Sequence, residues 1–393
     1  MQAAYVCMPQ IKGGLKMKKL ISVICCVMLV AAILTGCAQT PAPSESAGAS
    51  TQAEVSAPPS ESAAPSAEAS AAEPQKKFLI GFSNGYIGNG WRTQMIDSVE
   101  KLAEYYKGQG LIEDVMIQNA GTDVNNQIAQ IRNMINSGVD CLLIDPNSET
   151  ALNPVIEEAV GAGILVICLD QPVTSESAYN VVIDQYKWGA NLAQWICDEL
   201  GGKGNIVIVE GLAGASANVN RVKGMDDVLA KYPDIKVLGR ANGNWDQASS
   251  QQVMSDLMAS YPEIDGVLTQ DGMALGVIQA FEAAGKKVPV VTGELMMGFV
   301  QKWKELKDAG EFTTYGQNNP PGIGATALGI AVRLLQGKEF NDGVLDGKTF
   351  YYPVKDHVTN DNFDEYYEKY KDEPDAYFID EWLTEEELDG LFQ

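Results

Sequence analysis

From Phe78 to about residue 336 the chain alternates short apolar runs with longer stretches of helical period, and this alternation constrains its fold more than any other feature. Phe78–Phe82, Val115–Gln118, Val139–Ile144 and Ile164–Leu169 read as buried strands. Between them Trp91, Met95, Val99, Leu102 and Tyr106 recur at helical spacing, as do Ile128, Ile131 and Ile135, and then Val155, Ile156, Ala159 and Val160. The pattern restarts after Asp184. Helical stretches around Trp188–Ile196, Val222–Leu229 and Val253–Leu257 flank strands at Ile206–Val209, Ile235–Leu238 and Gly266–Thr269. Helix 273–284, strand 288–291, helix 298–309, strand 312–315 and helix 323–336 complete it. Short buried strands between amphipathic helices predict parallel sheets covered on both faces, an α/β class. So many units exceed one comfortable open sheet, so two Rossmann-like lobes are expected.

Composition removes several function classes. The net charge is −24, with 52 acidic against 28 basic residues, which argues against a nucleic-acid partner. One histidine, His357, leaves little room for histidine-based catalysis or a histidine-rich metal site. The seven cysteines show neither zinc spacing nor a disulfide framework, and Cys141, Cys168 and Cys197 read as buried small hydrophobes. No cofactor and no metal are expected. Gly211-Leu-Ala-Gly-Ala-Ser lacks the lysine of a phosphate loop and reads as a tight strand-to-helix turn. Asp342, Asp346, Asp361 and Asp364 do not reproduce a calcium loop.

The N-terminus reads as an address and a tether. Lys16, Lys18 and Lys19 precede an apolar run, Leu20–Leu34, too short to span a bilayer comfortably. Residues 1–36 therefore read as a signal peptide, with Met17 the better start. The run ends Leu34-Thr35-Gly36-Cys37, which resembles the lipobox of bacterial lipoproteins; that resemblance implies cleavage before Cys37 and its acylation. Residues 37–76, rich in Pro, Ala, Ser and Glu, have almost nothing to bury and read as a disordered spacer behind the lipid.

In parallel sheets, ligands bind beyond the carboxyl ends of the strands. The loops at those ends hold Asn89, Trp91, Arg92, Asp170, Gln171, Arg221, Trp245, Gln270, Asp271, Glu294 and Gln317. Flat aromatics suit the C–H faces of a sugar. Carboxylates, amides and guanidinium groups suit its rim of hydroxyls.

Six stretches, in order and spacing, carry a family resemblance: Ile80-Gly-Phe-Ser-Asn, Leu143-Ile-Asp-Pro-Asn, Leu169-Asp170, Glu210-Gly-Leu-Ala-Gly-Ala-Ser, Arg221-Val-Lys-Gly and Gln270-Asp-Gly-Met-Ala-Leu-Gly. From Phe78 to about His357 the chain resembles the ribose-binding branch of type I periplasmic binding proteins. The resemblance implies two α/β lobes joined by a three-segment hinge, with the ligand in the cleft between them. The expected division is 78–183 plus about 318–345 for the first lobe, and 184–317 plus about 346–393 for the second lobe and tail. The resemblance also implies roles. Asn89 and Trp91 pack on the sugar, Asp170 bonds its hydroxyls, Arg221 and Trp245 face it from the second lobe, Gln270 supplies an amide, and Gln317 lies near a crossover. Gln171 stands where the ribose receptor has Arg, Glu294 where it has Asp, and Arg92 in an aromatic slot. These departures point from ribose to another monosaccharide or polyol.

The expected protein is a non-enzymatic, monomeric, extracytoplasmic lipoprotein that delivers its ligand to an ABC permease. The alternatives are a receptor for a nucleoside or quorum-type signal and a ligand-presenting sensor component. A sugar hydrolase using Asp170 and Glu294 as acid and base is a further rival. A DNA-binding regulator of similar lobes would need a helix-turn-helix where the signal peptide stands.

Overall fold

Two six-stranded sheets organise the computed structural model, which describes residues 76–393 except 89, 311, 355–356 and 380–381. The expected signal peptide and spacer, Cys37 and Asn89 lie outside the described residues. All described residues belong to one compact unit.

The first sheet is built from β1 (Phe78–Asn84), β2 (Ile112–Asn119), β3 (Cys141–Asp145), β4 (Leu165–Leu169), β5 (Tyr179–Val182) and β11 (Thr349–Tyr351). Its order is β2-β1-β3-β4-β5-β11, parallel throughout. The second sheet takes β6 (Lys203–Glu210), β7 (Asp234–Asn242), β8 (Gly266–Leu268), β9 (Val290–Glu294), β10 (Thr314–Gln317) and β12 (His357–Val358). Its order, β7-β6-β8-β9-β10-β12, repeats the first, with only β12 antiparallel. In each lobe the first strand lies between the second and third. The connection therefore reverses direction there and opens a crevice at the carboxyl ends.

Burial explains the element types. Every residue of β3 is buried, as a strand covered on both faces requires. Helix α9 (Ile323–Leu335) is buried from Ile323 to Arg333 and packs against α1 (Gly90–Gly108) and the first sheet. Asp123, Asp184 and Asp246 cap the helices that follow them, each accepting a backbone N–H. Cys141, Cys168 and Cys197 are buried and free, and burial pushes the Cys197 thiol up to about 11. Among the described residues no helix is long and apolar enough to cross a membrane.

The chain passes between sheets at 182–185, 317–323 and 351–357. The expected boundary near residue 346 needs correction, because Thr349–Tyr351 pairs with β5 in the first sheet. A three-residue strand offers no alternation to read, so its hydrogen bonds, not its pattern, assign it. Strands β5 and β12 escape sequence reading for the same reason. The C-terminal tail also divides between the lobes. α10 (Phe363–Tyr370) packs on α8 (Met297–Asp308), whereas α11 (Glu385–Asp389) packs on α9.

Two glycines set a close helix crossing that the site depends on. Gly189 of α4 (Gln185–Glu199) and Gly224 of α5 (Ser216–Leu229) face the opposite backbone, where a methyl group would overlap the Arg221 and Tyr186 carbonyl oxygens respectively. Gly224→Ala should lower stability by about 1–3 kcal/mol through overpacking. Urea unfolding reads this as a lower midpoint; an unchanged midpoint would show that the helices can part without cost.

Candidate functional site

The carboxyl ends of both sheets converge on a narrow cleft whose cavity, about 40 Å³, is well below the roughly 300–1,000 Å³ usual for small-molecule sites, so the lobes stand close together here. Trp91, Arg92, Asp170 and Gln171 line it from the first lobe; Arg221, Trp245 and Asp271 line it from the second. Seven residues expected from sequence thus meet in one place. A hydrogen bond spans the lobes at its edge, from Ser216 Oγ to Gln171 Oε1 at 2.9 Å.

Trp91 sits at the start of α1, and its indole Nε1 donates to the Asn319 carbonyl at 2.5 Å. Trp245 rests on a backbone that L-residues rarely adopt, with φ 59° at Asn244 and 56° at Trp245. Gly211 leaves room for its ring, since a Cβ there would overlap the indole. The Trp245 Nε1 donates to Gln270 Oε1 at 3.0 Å, and Gln270 Nε2 donates to Asn218 Oδ1 at 2.8 Å. Gln270 therefore lies behind the Trp245 ring and holds it. Asp170 also has a left-handed backbone, φ 62°, at the end of β4. Such conformations persist only where surrounding structure enforces them, and they concentrate at functional sites.

Charges fill the cleft floor. Arg92 pairs with Asp145 and, at 3.2 Å, with Asp170. Arg221 is fully buried. It pairs with Asp271 at 2.5 Å, donates from Nε to Gln185 Oε1 at 2.6 Å, and lies 4.0 Å from the centre of the Trp188 ring. Glu294, at the end of β9, is almost wholly buried. Asp271 Oδ1 has no hydrogen-bond partner among the described residues, and the Glu294 oxygens have none of good geometry, although the Asn319 backbone N–H lies near enough to draw the Glu294 carboxyl down. Buried polar atoms are normally paired, so these acceptors need an explanation.

Four carboxylates thus face two guanidinium groups. Burial raises the Glu294 carboxyl well above its ordinary range, and the charge of Asp271 raises it further against the opposing pull of Arg221. Burial also raises Asp170, which Arg92 and Arg221 draw back down. Burial lowers Arg92, opposed by Asp170. Among the described residues the cluster offers both an unpartnered acceptor, Asp271 Oδ1, and an unpartnered donor, Arg221 Nη2, which suits a ligand rich in hydroxyl groups.

Three expected residues differ in place: Gln270 lies behind Trp245, and Glu294 is buried without lining the cleft. Gln317 does not line the cleft. It lines a second cavity behind the hinge with Trp188, Tyr315, Tyr352 and His357, and Tyr315 O–H donates to its Oε1 at 3.1 Å. The chain turns into the crossover after Gln317, so Asn319 is the residue that reaches the cleft. Asn319, Ala217 and Phe378 line it unannounced by the sequence reading, and Asp145 pairs with Arg92 beneath it. Asp145 stands at a strand end, where the carboxyl-end rule could have found it; Phe378 lies in the tail, where no such rule applies. Among the described residues no cluster suited to a metal ion occurs.

Residues 80–339 match the periplasmic binding protein domain. The xylitol-binding protein of Mycolicibacterium smegmatis is 35% identical over 269 residues, covering 67% of this chain and 73% of its own. The ribose import binding protein of Bacillus subtilis is 29% identical, covering 67% of this chain and 84% of its own. Among solved structures, an ABC transporter solute binding protein from Thermobispora bispora superposes with a TM-score of 0.70 at 30% identity, covering 79% of this chain and 94% of its own. One from Bacillus halodurans with bound myo-inositol superposes with a TM-score of 0.65 at 26% identity, covering 76% of this chain and all of its own.

The raised Glu294 fixes a sign. A carboxyl whose native pKa exceeds its unfolded value, near 4.5, favours the fold only while protonated, so its contribution is lost as pH rises from there through the native value. Glu294→Gln should therefore melt higher than the parent at neutral pH, without ligand, and converge with it below about pH 4.5. Melting curves across pH read both; a variant less stable at neutral pH would contradict the assignment.

Proposed function

The chain belongs to the periplasmic binding protein family, whose members bind and deliver solutes rather than transform them, and from that premise we propose that its cleft captures a monosaccharide or polyol for an ABC importer. The observation that carries the reading is the set of buried carboxylates and guanidinium groups, Asp170, Asp271, Arg92 and Arg221, that lines the cleft between Trp91 and Trp245. Hydroxyl donors satisfy Asp271 Oδ1, while the indole faces cover C–H surface. The relatives named for xylitol and ribose, and the structure holding myo-inositol, fit a ligand of this kind.

Ligand touching both lobes binds more tightly when they are together and shifts the hinge toward that state. The joined form is what docks on the permease. Cys37 supplies the lipid anchor and the residues after it the leash, with the receptor held outside the cytoplasmic membrane as a monomer.

A thermal-shift series with xylitol, ribose, myo-inositol and a nucleoside tests the ligand class. A ligand at a hundredfold excess over Kd adds about 2.7 kcal/mol, a clear rise in melting temperature. A rise with the nucleoside alone would overturn the polyol reading. Trp245→Ala should weaken the active compound by at least about tenfold, roughly 1.4 kcal/mol. For the anchor, Cys37→Ser should move the protein from the membrane to the soluble fraction and abolish labelling by a radioactive fatty acid; retention of label would refute acylation at Cys37.

A further inference from the structure

The match to the family domain ends at residue 339, and the tail beyond it contains a segment that reaches the cleft. Pro374–Ile379 lies along the N-terminus of α8. The Met297 and Gly298 amides, unpaired within their own helix, donate to the Tyr377 and Asp375 carbonyls at 2.8 Å each. Ile379 N donates to the Leu295 carbonyl at 2.8 Å, and Phe378 bridges to Met296. These contacts fix the segment to the second lobe.

Phe378 then bonds to the first lobe. Gln94 of α1 donates from Nε2 to the Phe378 carbonyl at 2.8 Å, and its Oε1 accepts the Phe378 amide at 2.9 Å. One side chain satisfies both backbone groups of one residue across the lobe boundary. The ring is 5% exposed and lines the cleft beside Trp91 and Trp245. Past this point the chain is fastened to the first lobe. Leu383 N donates to Thr326 Oγ1 at 3.2 Å, Tyr106 O–H donates to Glu385 at 2.7 Å, and Arg333 pairs with Asp389 at 2.9 Å.

We infer that Pro374–Ile379 completes the binding site, with Phe378 a third aromatic wall against the bound solute and its Gln94 pair a latch holding the lobes together. The inference deepens the proposed function and rests on it for the solute. The latch stands on geometry that needs no ligand. Ring and latch do separable things. The ring supplies contact area and so sets affinity and which solute faces fit. The latch favours the joined lobes and so slows release.

The test uses the chain from residue 38 onward with xylitol, ribose and myo-inositol as probes. Phe378→Leu keeps an apolar side chain and both backbone bonds, so it folds like the parent, and calorimetry should show affinity about tenfold weaker. Gln94→Ala leaves the ring in place, and stopped-flow tryptophan fluorescence should show release about tenfold faster. Parental affinity in the first variant overturns the wall, and parental release in the second overturns the latch. Without any probe, Gln94→Ala should speed hydrogen exchange at the Phe378, Met297 and Gly298 amides and enlarge the radius of gyration. Unchanged exchange and radius overturn the latch even if no probe binds. Failure of every probe with the parent, with these two readouts altered, rejects the polyol reading and leaves the latch standing.

Discussion

Arg221 is the constraint around which the second lobe and the hinge are arranged. It is fully buried, and a buried guanidinium is tolerated only with its charge paired. Asp271 from the loop after β8 pairs the charge, Gln185 from the start of α4 accepts the Nε–H and the face of Trp188 covers the plane, while Nη2 has no hydrogen-bond partner among the described residues. Removing one partner of such a buried pair typically costs about 3–5 kcal/mol, because the other charge is left stranded. The helix crossing at Gly189 and Gly224 sets α5 close enough to α4 for Arg221 to reach all three. Trp188 in turn donates from Nε1 to the Asn318 carbonyl, and Trp91 donates to the next carbonyl, Asn319. A cleft charge, one helix from each lobe and the 317–323 crossover are therefore joined by consecutive contacts.

The cleft is built at a cost in stability. Asp170, Asn244 and Trp245 hold left-handed backbones, and the raised Glu294 and Asp170 carboxyls record charge kept in a dry place. Proteins accept such costs where function needs a preorganised site. Here the preorganised feature is a set of acceptors whose geometry is fixed before ligand arrives. Hydroxyl donors gain most from them, because the desolvation of the carboxylates has already been met in folding.

Much of this was legible from residue order. The central strands β1, β3, β4 and β6 are apolar runs too continuous to mistake, and the carboxyl-end rule places Trp91, Arg92, Asp170, Gln171, Arg221, Trp245 and Asp271 beside one another. What stayed hidden was set by long-range contact. β11 and β12 have three and two residues and owe their existence to the strands beside them. Gln317 ends β10, but the crossover's turn carries Asn319 into the cleft instead. Phe378 lies in an acidic, aromatic stretch without periodicity, and only the tail's return across α8 and α1 brings it to the site. The functional class was readable from the family stretches together with the residues at strand ends; the aromatic Phe378 was not, because its place in the cleft depends on a fold-back.

A crystal structure of the chain grown with the polyol or sugar that most raises its melting temperature tests the central claim most directly. The account predicts one molecule between the Trp91 and Trp245 rings, with hydroxyls within hydrogen-bond distance of Asp170 and Asp271. A ligand seated instead in the cavity lined by Gln317 and His357, or one in the cleft with no hydroxyl on these carboxylates, would contradict it.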